Sequence, residues 1–234
     1  MNLRVLVLQN ENDDPIHLMG SWMGDVDLTV CRPFDGDQVP STMAGYAGLV
    51  VMGGAMGAND DTPWLPAARD LIRSAAGTQT PTLGICLGHQ LAAVALGGEV
   101  RRNSRGKQFG LLEIGWEAGV AADPLLGAAA AAQRALQWND DVVTRLPDGA
   151  QLLATARTGE VQAARLAPTA WGVQWHPEVD EPMVRAWAAD GGVDPAEAER
   201  QLAVLAAAAD ELEAAWRPLA QRFAELATTA LARR

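Results

Sequence analysis

The sequence predicts a three-layer α/β fold: a mostly parallel central sheet flanked by helices, with a small antiparallel sheet and a C-terminal helical extension. Three observations lead there. Short apolar runs bounded by turn residues recur along the first three-quarters of the chain, as strands covered on both faces require. Helix-length segments alternate with them, the arrangement that crossover-connected parallel strands produce. The 234 residues, 49% of them hydrophobic, are enough to bury one sizeable core and exclude a disordered chain.

The elements follow in order. Leu3–Leu8 (LRVLVL) is the first buried strand, and Ile16–Met23 the first helix-like stretch. Gly48–Met52 (GLVVM) is the second strand and Pro63–Ala76 the helix after it. Pro81–Ile85 (PTLGI) is the third strand, followed at once by a helix over Leu87–Leu96 that stops at Gly97-Gly98. From about Val100 to Val161 the apolar pieces are shorter and turn signals such as Pro147-Asp148-Gly149 intervene. Antiparallel strands on one side of the main sheet are expected there. Trp171–Trp175 (WGVQW) is a late buried strand. Beyond it Leu202, Leu205, Ala209, Leu212, Trp216, Leu219, Phe223 and Leu226 recur three and four apart, a helical stripe with a kink expected at Pro218. Packing on the chain's own sheet is the preferred reading of that stripe. A seam between two copies would show the same spacing, so a homodimer stays open.

Composition removes several classes of function. A net charge of -11 argues against a nucleic-acid partner, which needs clustered Lys and Arg. No charge-free run of about 18 apolar residues appears, so a membrane partner is not expected. The N-terminal residues enter a strand pattern directly rather than a signal peptide, which predicts a cytoplasmic protein. Cys31 and Cys86 are too few for a disulfide framework, and with three histidines too few for a metal cluster. No metal and no cofactor are expected.

Three segments carry chemistry. Thr82–Ala93 reads TLGICLGHQLAA, in which Gly84-Ile85-Cys86-Leu87-Gly88 forms a strand-to-helix elbow with a cysteine at its apex. The tight turn requires glycine at 84 and 88, where Cβ atoms would collide with neighbouring backbone. Cys86 then sits at a helix N-terminus, where free N–H groups and the helix dipole favour a negative sulfur. The amide of Leu87 faces the oxygen that gains charge during attack. Val173–Val179 reads VQWHPEV, and Pro177 biases His176 toward extended backbone. Residues two apart then point the same way, so Glu178 can hold the imidazole of His176, the nucleophile–base–orienter arrangement. His89, three residues past Cys86, is the rival base, with a structural hydrogen-bonding role preferred. Val50–Asn59 (VVMGGAMGAN) places Gly53-Gly54 directly after a strand, where backbone can approach a ligand and aim an N–H at it. That segment matches neither glycine-rich phosphate-loop pattern.

In the order GG…GICLGHQ…HPE, these pieces resemble the class I glutamine amidotransferases of Cys-His-Glu type, over about Leu3 to Val179. The stand-alone members similar to the glutaminase part of GMP synthase are the nearer likeness, through Gly53-Gly54-Ala55-Met56, Pro63-Trp64-Leu65, Gly84–Gln90 and Gly172–Glu178. The resemblance implies a flavodoxin-like catalytic domain over 1–180, with 181–234 as a helical extension packed on it. It implies Cys86 as nucleophile, His176 as base and acid, Glu178 as orienter, and the amides of Gly54 and Leu87 as oxyanion hole. It further implies that Gly53, Gln90, Asn139 and Asp140 contact substrate. Three departures stand out: Ala55 for proline, Asn139-Asp140 for a His-Gly pair, and Gln108-Phe109-Gly110 where many members carry Glu-aromatic-Gly. The implied substrate is glutamine or another γ-glutamyl compound. An ammonia-accepting synthetase is the implied partner, since this chain shows no nucleotide loop after the glutaminase pattern. A γ-glutamyl hydrolase or peptidase using the same triad is the alternative, and a catalytically idle regulatory role is the third reading.

Overall fold

The computed structural model describes residues 3–190 and 192–233. Residues 1 and 2 of the expected first domain lie outside them. Along the chain β1 (Arg4–Leu8) leads through α1 (His17–Trp22) to β2 (Asp27–Cys31). Next, β3 (Gly48–Val51) leads through α2 (Leu65–Gly77) to β4 (Thr82–Ile85), which turns directly into α3 (Leu87–Ala95). The middle supplies β5 (Glu99–Arg102), β6 (Gln108–Glu113), β7 (Gly115–Trp116), β8 (Arg134–Asn139) and β9 (Asp141–Arg145). Then come β10 (Gln151–Thr155), β11 (Val161–Ala167), β12 (Ala170–Val173) and the helices α4 (Glu181–Asp190), α5 (Pro195–Ala207) and α6 (Ala209–Ala232).

Eight strands form the main sheet in the order β2-β1-β3-β4-β12-β11-β10-β7. The first five pair in parallel, and β11, β10 and β7 extend the sheet antiparallel. All residues of β3, β4 and β12 are buried, as the unbroken apolar runs require. The strand period of two sorts the core into two layers. Val5 and Val7 face Met19, Trp216 and Phe223, the layer of α1 and α6. Leu6 and Leu8 face Leu65, Leu71, Ile72 and Leu91, the layer of α2 and α3.

The expected strands and helices are present with ends moved by one or two residues. The middle segment departs in part. Its strands divide between two detached antiparallel pairs, β5 with β9 and β6 with β8, and three strands that lengthen the main sheet. β11 can join because Gln162, Ala163 and Ala164 are small or inward-facing enough to continue the buried layer beside β12. The tail stripe packs on the chain's own core: Leu202, Leu205, Leu212, Trp216, Leu219 and Phe223 are all buried in it. Ala209 is exposed and Ala208 takes the inward position, because the helix is interrupted there. Asp210 and Glu211 in the first turn favour a fresh helix start, while α6 runs unbroken across Pro218.

Candidate active site

The C-terminal ends of β1, β3, β4 and β12 lie side by side, so the loops leaving them converge at one edge of the sheet, where open α/β sheets hold ligands. Cys86 leaves β4 with φ 50° and ψ −107°, a left-handed backbone that costs a non-glycine residue about 1–3 kcal/mol. The surroundings impose it. A Cβ on Gly84 would come within 2.4 Å of the Gly88 carbonyl oxygen, and one on Gly88 within 2.0 Å of the Val51 oxygen. Helix α3 is therefore pressed onto the strand backbone, and the elbow holds Cys86 at the N-terminus of α3. The thiol is buried but opens onto a cleft of about 700 Å³.

The His176 Nδ1 and Glu178 Oε1 atoms are 2.7 Å apart, and both side chains are buried. Burial is the largest single influence on the His176 pKa and pushes it down. The charges of Glu178 and Cys86, with hydrogen bonds to both, outweigh it and hold the ring well above the usual histidine range. The imidazolium form is thus favoured between a carboxylate and the sulfur. Two anchors fix the loop that carries it: the His176 N–H donates to the Leu136 carbonyl at 2.9 Å, and Trp175 packs between Trp116 and Trp216.

The other expected residues separate into those that line the cleft and one that does not. Gly54, Leu87, Gln90, Asn139 and Asp140 line it with Cys86 and His176. Gly54 and Leu87 are neighbours, a Cβ on the former lying 3.2 Å from the Leu87 side chain. Gln90 donates to the Asp141 carbonyl at 2.9 Å and to Gln174 at 3.2 Å. Asn139 donates to Gln108, which also accepts from Gln162, so the Gln108 and Asn139 departures occur together in one buried network. Asp140 pairs with Arg102 at 3.1 Å. Gly53 is set behind the cleft, packed so closely that a Cβ there would lie 2.1 Å from Asp14 Oδ2. His89 is fully buried beneath Gly172, away from the cleft, and neither ring nitrogen has a hydrogen-bond partner among the described residues. The expected hydrogen-bonding role is therefore replaced by packing, and burial lowers its pKa to about 4.

Several site residues escape a reading of the motifs. Gln174, inside the VQWHPEV segment, donates to Cys86 Sγ at 3.6 Å. Trp187 of α4 stands edge-on to His176, ring centroids 4.8 Å apart, and its indole N–H donates to the Asp13 carbonyl. Trp138 lies beside Trp187, with Lys107 over its ring at 4.7 Å. Glu11 accepts from the Ala55 N–H at 2.6 Å and pins the Gly53-Gly54 loop. Asp14, His176 and Glu178 offer ligand atoms within 4.8 Å of one another. A metal ion there would compete with the Nδ1–Oε1 bond, so the group reads as an acid–base cluster.

Comparison with known proteins agrees with this geometry. The family description "Glutamine amidotransferase class-I" matches residues 24–183. The chain is 31% identical over 178 residues to the glutamine-hydrolyzing GMP synthase subunit of Halobacterium salinarum, covering 75% of this chain and 88% of that one. It is 32% identical over 141 residues to gamma-glutamyl peptidase 4 of Arabidopsis thaliana, spanning 56% of that protein's length. The crystal structure of a glutamine amidotransferase from Methylobacillus flagellatus superposes with a TM-score of 0.86 at 26% identity, over 97% of this chain and 96% of that one. A glutamine amidotransferase of Thermotoga maritima shares the fold at a TM-score of 0.83 and 23% identity, over 96% and 99%. By the family match, and by an elbow cysteine that opens onto the same cleft as a carboxylate-held histidine, the chain belongs to the class I glutamine amidotransferases.

Proposed function

We propose that the protein hydrolyses the side-chain amide of glutamine through a Cys86 thioester and delivers the ammonia to a separate synthetase. The observation that carries this reading is the buried His176–Glu178 pair, its ring held protonated between a carboxylate and the sulfur of a strained elbow. Cys86 Sγ attacks the amide carbon. The amides of Gly54 and Leu87 receive the developing oxyanion, each contributing about 3–4 kcal/mol to lowering the barrier. His176 gives its proton to the departing nitrogen as the C–N bond breaks, leaving a γ-glutamyl thioester and ammonia. The neutral ring then takes a proton from water, and hydroxide adds to the thioester carbon. The C–S bond breaks to release glutamate, whose carboxyl proton passes to solvent, leaving the Cys86 thiolate beside the protonated ring. Glu178 keeps the ring oriented throughout. Gln90, Asn139 and Asp140 hold the far end of the substrate. Residues 1–180 act as the catalytic unit, with 181–234 as its helical extension. The glutamine-hydrolyzing GMP synthase relatives support an ammonia-consuming partner.

A second reading, hydrolysis of γ-glutamyl peptides, is compatible with a cleft of about 700 Å³, near the middle of the range of about 300–1,000 Å³ typical of ligand sites. The peptidase relative points the same way. Ammonia release from glutamine, measured beside cleavage of γ-glutamyl dipeptides, separates the two. Under either, Cys86→Ser abolishes turnover and labelling by a glutamine-like chloroketone. Unchanged activity in that variant would overturn the nucleophile assignment.

A further inference from the structure

Asp14 is a buried acid that the thioester chemistry does not use. It lies in the loop after β1, is 4% exposed, and its Oδ1 has no hydrogen-bond partner among the described residues. Its Oδ2 is tucked against Gly53, at the point where a Cβ on that residue would also approach His176 Cε1. Glu178 carries a matching gap. One carboxylate oxygen binds His176 Nδ1, while Oε2 is buried with no partner among the described residues. The carboxyl oxygens of Asp14 and Glu178 and a ring nitrogen of His176 lie within 4.8 Å of one another.

Two buried carboxyl groups, each with an orphan oxygen, form an unstable arrangement when both are ionised. Neither oxygen has a donor among the described residues, and two negative charges crowd one ring. A proton on Asp14 removes one of the two charges from the cluster. We propose that Asp14 is a positioning residue that works as a neutral carboxylic acid beside the His176–Glu178 pair. His176 then faces one negative charge rather than two. One charge orients the ring and favours the imidazolium. A second would bind the proton so tightly that the ring became a poor acid toward the leaving nitrogen. The charged and titratable groups facing Asp14 agree. Burial raises its pKa most, His176 lowers it, and Glu178, Asp13 and Glu11 raise it, for a result well above the usual carboxylate range.

The proposal rests on the thiol chemistry of the proposed function, so its test reads the ring itself rather than turnover. The chain has three histidines, His17, His89 and His176, few enough for a nitrogen-15 histidine NMR titration of the full protein. In the wild type the His176 signal should follow two ionisations, its own and that of Asp14. In Asp14→Asn, which keeps the shape and a donor but cannot ionise, one step should remain, and His176 should lose its proton about one pH unit or more earlier on the alkaline side. At neutral pH the two proteins should alkylate Cys86 with iodoacetamide at rates within about threefold. Superimposable titrations over the whole range would overturn the proposal by leaving Asp14 with packing alone. A folded Asp14→Asn that has already lost its Cys86 reactivity at neutral pH would overturn it too, since Asp14 would then act as a carboxylate. Should that variant not fold, a one-step wild-type titration is sufficient to reject it. Absence of any hydrolysis by the wild type, with the two-step titration present, would reject the proposed function and leave the Asp14 assignment standing.

Discussion

At the scale of single residues, the site places two histidines close in sequence or space to the elbow and gives them opposite electrostatics. His176 shares a hydrogen bond with Glu178 and is held protonated; His89 lies on α3, and its burial holds it neutral. His176→Ala should therefore lower kcat by at least about 10²–10⁴-fold, the scale of a lost general acid–base. His89→Ala should instead lower the unfolding midpoint in urea while turnover per folded molecule changes little. Steady-state kinetics beside unfolding curves checks the pair, and the reverse ranking would move the base to His89. The elbow and the His-Pro-Glu segment were legible because each residue type has a local reason to be there: glycine where a Cβ cannot fit, proline where extended backbone is needed. Asp14 and Glu11 were not legible. They sit in an acidic stretch, ENDD, that resembles any solvated loop, and only the closeness of the Gly53-Gly54 turn turns them inward.

At the scale of elements, the C-terminal helices do more than cover a face of the sheet. α4 brings Trp187 against the His176 ring, and α6 brings Trp216 against Trp175, the residue before it. The tail stripe announced a buried face in the sequence, but what it would touch depends on how the strands order themselves, which no local pattern contains. β2 escapes the sequence pattern for a related reason. It is an edge strand, half-buried along most of its length, and lacks the continuous apolar run that marked its neighbours. β7, two residues long, carries no periodicity at all. Trp216→Ala should cost about 3–5 kcal/mol of stability, as a large aromatic removed from a packed core does. In the folded fraction it should also slow alkylation of Cys86 at neutral pH, because the ring that polarises the sulfur loses its anchor. Urea unfolding and iodoacetamide kinetics on the same preparation test both effects.

At the scale of the whole molecule, buried titratable groups make stability depend on pH from both sides. His89 has a folded pKa of about 4, below its unfolded value near 6.5. The unfolded chain therefore takes up a proton first as pH falls. The stability that goes with a neutral buried ring is complete above about pH 6.5 and drains away toward pH 4, by up to about 3 kcal/mol. His176 and Asp14 have folded pKa values raised above their unfolded ones. Their contribution is present at low pH and is lost as pH rises through those folded values. The loss from Asp14 begins near its unfolded value of about 4 and opposes the gain from His89, while the loss from His176 begins above about 6.5. His89→Leu should flatten the acid limb between pH 6.5 and 4.5 while leaving the alkaline limb in place, as measured by urea midpoints across that range. An unchanged acid slope would show that another group governs it.

The stacking of Trp175 on Trp216 also has a consequence for synthesis on the ribosome. Cys86 and His176 are both translated well before position 216 emerges from the exit tunnel. A nascent chain halted short of that point carries the proposed nucleophile and base yet lacks the Trp216 contact behind the His176 loop. The growing polypeptide should therefore react more slowly toward a thiol reagent until α6 docks.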